Sequence, residues 1–209
     1  MIRSALYSVA VLAALAVARL LPEHGPWLFL RLGATTLAVL LPGWLIARAF
    51  GHGSASATLV WTLGALTLAL SIVFAVRSSF DVALFVLAAL GVVAIVFTRG
   101  EPPESEVGGE AIVAAAGIAL GVALWHVMPH VLTGDSPFHA ARVRKLVELG
   151  SLTPWRLDEL AGGGLHPGYA FPLWHAFLAA VAKLSGVDTS LVMRYESALL
   201  VPLAVLVAY

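Results

Sequence analysis

The sequence predicts an all-α fold: a polytopic bundle of about seven transmembrane helices with one external loop. Of the 209 residues, 60% are hydrophobic and only 11% are charged, whereas soluble domains carry about 25% charged residues. The apolar residues form long runs, most of them near the roughly 20 residues that a helix needs to cross a bilayer. Backbone groups in hydrocarbon must be satisfied within their own segment, so each run is predicted to be a helix rather than a strand.

Short polar segments separate the predicted spans. Residues 22–26, 51–54 and 77–79 are turn-forming, and residues 99–110 form a longer acidic loop with two prolines. The sixth span is short and contains Pro172, His175 and Lys183, so we expect it to enter at an angle or to begin as a re-entrant turn. The predicted spans are 4–21, 27–50, 57–76, 80–98, 111–132, 169–184 and 191–209.

These spans divide the chain into five N-terminal transmembrane helices (1–132), an external loop (133–168) and two further helices (169–209). The chain stops within an apolar run, so we expect it to be the N-terminal part of a longer protein. Ala, Leu, Val and Gly dominate the composition and most of the basic residues are Arg, which is typical of a high-GC bacterial genome. For a multi-pass helical protein of a bacterium, we expect a location in the inner membrane of the cell envelope. The net charge is zero with no basic block, which argues against a nucleic-acid partner.

Basic residues next to the spans predict an orientation. With the N-terminus in the cytoplasm, the seven-span arrangement places more basic residues inside than outside, as the positive-inside rule requires. The loop 133–168 is then external. The inside set is Arg3, Arg48, Arg99, Lys183 and Arg194, and the outside set is Arg19, Arg31 and Arg77.

A short amphipathic helix is predicted within the external loop. Asp135 or Ser136 can cap it, Pro137 suits its first turn, and Gly150 can end it. Apolar positions alternate with basic ones at helical spacing. We therefore expect the helix to lie in the membrane interface with its Arg and Lys side chains toward the headgroups.

The loop helix carries the first candidate site residues. Asp135 and His139 are four residues apart and can face the same way, as an acid/base pair or as two ligands of a divalent metal. Two ligands do not make a metal site, so cofactor and metal requirements stay open. Arg142 and Arg144 can bind a phosphate bidentately. The alternative is structural: Asp135 caps the helix, His139 is an interfacial side chain, and the arginines only contact headgroups.

Further polar residues flank the entrance of the sixth span. His166, Tyr169 and His175 are candidates for substrate binding, because ionisable groups at membrane depth are costly to retain. Glycines 162–164 before them favour a tight turn, without the spacing of a nucleotide-binding loop. His126 and His130, at i,i+4 spacing, are weaker candidates. The alternative for all five residues is a structural role, which for His126 and His130 is helix packing.

Together these residues form a pattern. The run Asp135-x-x-x-His139-x-x-Arg142-x-x-x-Leu146-x-x-x-Gly150, followed by His166-Pro-Gly-Tyr-x-Phe-Pro-Leu-Trp-His-x-x-Leu178, resembles the GT-C superfamily of membrane glycosyltransferases. That superfamily includes protein mannosyltransferases and aminoarabinose transferases. The resemblance covers residues 132–192. It implies that Asp135 is the catalytic carboxylate, that the donor is a polyprenyl-phosphate sugar, and that the reaction occurs on the external face of the membrane.

The chain also departs from that superfamily's pattern. His166-Pro167-Gly168 stands where a Lys-Pro-Pro element is common, and five predicted spans precede the loop where the better-known members have one. Two other functions therefore stay open. A transporter or flippase would place its polar residues near the membrane midplane, often in repeated halves. A non-catalytic membrane scaffold would leave Asp135 and His139 pointing into headgroups or water with no shared cavity.

Overall fold

The computed structural model describes residues 2–98, 107–127, 134–153 and 171–209, and within these ranges it is all-helical, as predicted. The eight helices are α1 (Ile2–Ala18), α2 (Gly25–Ala49), α3 (Ala55–Val76), α4 (Phe80–Phe97), α5 (Val107–Val127), α6 (Ser136–Glu148), α7 (Leu173–Ser185) and α8 (Thr189–Ala208).

Five of these helices are long and apolar enough to cross a membrane, so the chain has the character of an integral membrane protein. They are α2, α3, α4, the segment Gly109–Val127 of α5, and α8. The remaining two apolar helices are shorter: α1 has 17 residues and α7 has 13. Five candidate spans are therefore found, and the predicted total of seven is not confirmed.

The helix ends follow local chemistry. The Ser54 hydroxyl accepts a hydrogen bond from the Ala57 N–H at 3.1 Å and so caps α3. The Asp188 carboxylate accepts one from the Ser190 N–H at 2.8 Å and caps α8. At the C-terminus of α7, Gly186 adopts a left-handed conformation (φ 72°) that glycine tolerates without strain.

One end of the bundle gathers most of the polar structure; we name it the α6–α7 end. The Arg31 side chain, near the start of α2, donates to the Leu21 carbonyl that follows α1 and to the Ser185 carbonyl at the end of α7. The Leu152 N–H, just after α6, donates to the Ser78 carbonyl between α3 and α4 at 2.8 Å. These contacts place the connections α1–α2 and α3–α4 at the same end as α6 and α7.

Helix α7 does not cross the bundle. Phe171, just before α7, packs edge-on against Phe74 near the end of α3. At the other end of α7, Lys183 Nζ lies 2.8 Å from Asp81 Oδ1 in the first turn of α4. Both ends of α7 thus contact the α3–α4 turn region, and its length of about 20 Å is short of the ~30 Å hydrocarbon thickness. Helix α7 alone is therefore too short to cross the bilayer.

The position of α7 changes the charge count from which the orientation was predicted, and the orientation itself stays a prediction. Because α7 returns to the end where it starts, Lys183 and Arg194 lie toward the α6–α7 end, together with Arg31 and Arg77. The seven-span count had placed Lys183 and Arg194 on the opposite side. Counted by helix end, the basic residues of the described ranges concentrate at the α6–α7 end.

Small residues allow the helices to approach closely. Gly43 of α2 lies against the backbone of Thr62 in α3, where a side chain would overlap the Thr62 hydroxyl and amide nitrogen. On α5, a methyl group at Gly117 would lie 2.7 Å from the Cα of Pro202 in α8. Close contact at small residues is a usual source of helix association in membranes, where burial of apolar surface alone gives little.

Candidate functional site

Helix α6 carries several of the predicted site residues. It begins at Ser136 with proline in its first turn and ends at Glu148, with Leu149 as C-cap and Gly150 next. Asp135 occupies the N-cap position, but its side chain makes no capping hydrogen bond, and the residue is exposed. The carboxylate is therefore at the surface of the α6–α7 end and is not used to hold the helix.

The central contact of the site joins two histidines. Packing of α6 against α7 brings Nδ1 of His139 to 2.9 Å from Nε2 of His175, although the residues are 36 positions apart in the chain. The ring centroids are 5.1 Å apart with an interplanar angle of 26°. Since one facing nitrogen must carry the hydrogen and the other must accept it, this contact requires that at least one ring is neutral.

The environment keeps His175 neutral. His175 is only 4% exposed. Its pKa is lowered from the usual 6.5 to about 4, first by burial, then by the nearby Arg142 guanidinium and then by the His139 ring. Burial and a neighbouring positive charge both disfavour the imidazolium. At neutral pH, His175 is therefore a neutral imidazole that can accept one hydrogen bond and donate another.

The two arginines predicted to bind phosphate lie in different surroundings. Arg142 is fully buried at 0% exposure, close enough to His175 to act on its charge. Arg144 is half-exposed, and its Nη2 lies 3.2 Å from Asp188 Oδ2. The interfacial arrangement expected for α6, with all of its basic side chains toward headgroups, therefore does not apply to Arg142. That face of α6 packs on the protein together with Val143 and Leu146.

The remaining predicted site residues add little to the description of the site. His166, Tyr169 and His130 lie outside the described residues. His126 is in the last turn of α5 and is exposed. Within the described ranges, no three His, Asp or Glu side chains are grouped to hold a metal ion, and Asp135 and His139 supply two candidate ligands only.

A separate cavity lies away from the predicted site. It has a volume of about 670 Å³ and lies at the opposite end of the bundle, between Tyr7, Trp44, Ser54 and Leu203. None of the predicted site residues lines it. We base the candidate site on the grouping of polar side chains at the α6–α7 end, because chemistry needs those groups more than it needs an apolar groove between helices.

Sequence reasoning missed two buried polar residues. Glu196 of α8 is fully buried and contacts Thr36 of α2, with Glu196 Oε1 2.6 Å from Thr36 Oγ1. The available signal was a single acid within an otherwise apolar span, which is a functional candidate by default. Glu196 and Thr36 are buried in the helix bundle, whereas Asp135 lies at the surface.

The lowered pKa of His175 predicts a pH-dependent stability. In the unfolded chain His175 titrates near its usual 6.5, so between pH 6.5 and 4 the unfolded state binds a proton that the folded state does not. The contribution of neutral His175 to the free energy of unfolding is therefore complete above pH 6.5. As the pH falls from 6.5 to 4, the free energy of unfolding decreases by about 3 kcal/mol. We expect His175→Gln to remove this part of the acid-induced fall in the thermal unfolding midpoint, measured in detergent.

The control for this experiment is His52→Gln, since His52 is an exposed histidine in the turn after α2. That variant should keep the wild-type pH dependence. If His175→Gln instead shows the same fall as the wild type between pH 6.5 and 4, the buried neutral state of His175 is refuted.

Comparison with protein families, with curated proteins and with solved structures finds no match for this chain. Its function is therefore inferred from its own residues and their arrangement.

Proposed function

We propose that this chain belongs to a membrane glycosyltransferase that transfers a sugar from a polyprenyl-phosphate donor to an acceptor at the α6–α7 end. The observation that carries the proposal is the grouping of His139, His175 and Arg142 in space. It lies at the end of the bundle where the exposed Asp135 precedes α6. The motif that resembles GT-C enzymes contains all four residues, and three of them meet through the packing of α6 on α7.

The membrane character of the chain supports a lipid-linked donor. Five helices can span a bilayer, so a polyprenyl chain can lie in the lipid beside them while its phosphate stays at the surface. Arg144 at the α6–α7 end is half-exposed, and a guanidinium is well suited to bind a phosphate with two parallel hydrogen bonds. Arg142, being buried, acts instead on His175.

Each of these residues has a role in the transfer. The acceptor hydroxyl oxygen attacks the anomeric carbon of the sugar, and Asp135 takes the hydroxyl proton as general base. The bond between the anomeric carbon and the phosphate oxygen breaks, and its electron pair leaves with the polyprenyl phosphate. Arg144 stabilises the negative charge that develops on that phosphate. The contact between His139 and His175 orients the start of α6, and with it Asp135.

The experiment measures transfer of radiolabelled sugar in membranes containing the protein. Polyprenyl-phosphate sugars are compared with nucleotide sugars, and membranes lacking the protein serve as control. We expect transfer from the lipid-linked donor only. Transfer from no donor would contradict the proposal and favour a transporter or a scaffold.

The face of the membrane is determined in parallel. The resemblance places the α6–α7 end outside, whereas the basic residues at that end favour the cytoplasm. The chain contains no cysteine, so Glu148→Cys at the α6–α7 end and His52→Cys at the opposite end can each be labelled alone. An external reaction requires that a membrane-impermeant maleimide labels Glu148→Cys in intact cells and leaves His52→Cys unlabelled. The reverse result would place the site in the cytoplasm.

A further inference from the structure

A buried acid lies inside the membrane-spanning part of the bundle. Glu196 of α8 is fully buried, in a helix long and apolar enough to span a bilayer. Thr36 of α2, which Glu196 contacts, is also buried. Retaining a carboxyl at this depth is costly unless it is neutral or paired.

No positive charge is paired with Glu196 within the described part of the chain. Arg31 on α2 contacts Glu23 and the Ser185 carbonyl, and Arg194 lies over the Tyr195 ring. Helix α3 has no titratable residue within its bounds. Helices α5, α6 and α7 also pack against α8. Their charged or titratable side chains are Glu110 and His126 on α5, His139, Arg142, Arg144, Lys145 and Glu148 on α6, and His175 and Lys183 on α7.

The hydrogen-bond geometry indicates where the proton is. Thr36 Oγ1 lies 2.8 Å from the Leu32 carbonyl oxygen and 2.6 Å from Glu196 Oε1. A threonine hydroxyl has one hydrogen to donate. If Thr36 donates to Leu32, the contact with Glu196 is a hydrogen bond only when Glu196 carries a proton and donates it to Thr36.

An ionised Glu196 satisfies fewer contacts. Thr36 could then donate to the carboxylate only, and its short contact with the Leu32 carbonyl would join two acceptors. Glu196 Oε2 has no hydrogen-bond partner among the described residues, so a negative charge spread over both oxygens would be buried with one of them unsatisfied. Leaving a charged acceptor in that state costs several times more than leaving a neutral one.

We infer that Glu196 is a proton-binding site within the membrane, and that its bound proton joins α8 to α2 through the chain Glu196 to Thr36 to the Leu32 carbonyl. The site is independent of the proposed sugar transfer. Both α2 and α8 also pack against α7, which carries His175. The proton on Glu196 therefore stabilises the two helices that support the α6–α7 end.

Infrared difference spectroscopy tests the inference directly. The spectrum of wild type minus Glu196→Gln, recorded in lipid nanodiscs at neutral pH, should contain the C=O stretch of one protonated carboxyl, and this band should shift in heavy water. Glutamine keeps the shape of the side chain and can donate its amide hydrogen to Thr36, so we expect the variant to fold. Carboxylate bands in place of the C=O band would show that Glu196 is ionised and would overturn the inference.

Two further variants test the hydrogen bond and the specificity of the signal. Thr36→Val removes the acceptor hydroxyl, so the carboxyl C=O band should move to higher wavenumber, whereas Thr36→Ser should leave it in place. An unchanged band in Thr36→Val would refute the link between α8 and α2. The control is Glu148→Gln, because Glu148 is an exposed acid with 68% of its side chain accessible; its difference spectrum should show carboxylate bands only.

Discussion

Gly43→Ala is expected to destabilise the bundle by about 3 kcal/mol or more, at the upper end of what overpacking usually costs. A methyl carbon on Gly43 would overlap the hydroxyl and amide nitrogen of Thr62 and lie 2.6 Å from the Thr62 Cα. The hydroxyl could rotate away, but the amide nitrogen and Cα belong to the backbone of α3. The two helices would have to separate, and the Thr62 hydroxyl would lose its approach to the Leu40 carbonyl, now 3.3 Å away.

The chain offers a matched control in Gly64→Ala. Gly64 lies in the same helix as Thr62, and a methyl group added there meets no atom within 4 Å. Since alanine is the better helix former by about 1 kcal/mol, this variant should be as stable as the wild type or slightly more stable. The measurement is the thermal unfolding midpoint of both variants in detergent, with monodispersity by gel filtration. Equal midpoints for the two variants would show that α2 and α3 do not approach as closely as described.

The positions of the long helices could be predicted from the sequence because apolar runs and polar breaks are local signals. The predicted span 80–98 corresponds to α4 (Phe80–Phe97), and the predicted span 27–50 to α2 (Gly25–Ala49). The start and end of α6 also agree with its proline and glycine signals. In each case residues within one segment decide where the helix begins and ends.

The arrangement at the α6–α7 end could not be predicted in the same way. The His139–His175 contact depends on how two helices pack, and no spacing within the sequence encodes it. Arg142 was expected at the headgroups because a charge prefers water, yet the packed face of α6 includes it. A basic side chain on a short helix can face either way, and only tertiary contacts decide which.

The second large effect concerns Asp135. Under the proposed function, Asp135→Asn is expected to lower sugar transfer by about 100-fold to 10,000-fold, the usual contribution of a general base. Asparagine has nearly the same size but cannot take the proton of the acceptor hydroxyl. Because the Asp135 side chain makes no capping hydrogen bond and is exposed, the substitution should leave the folded protein and its expression unchanged.

The control for Asp135→Asn is Asp81→Asn. Asp81 is also an exposed aspartate near the start of a helix at the α6–α7 end, where it pairs with Lys183. It has no assigned step in the transfer, so its variant should retain wild-type transfer. Rates are compared at matched amounts of protein in the membrane. If Asp135→Asn transfers sugar as fast as Asp81→Asn, Asp135 is not the base, and the general base must be another group close to the acceptor. His139 is then the next residue to replace, because its partly buried ring lies on the same helix and contacts His175 of α7.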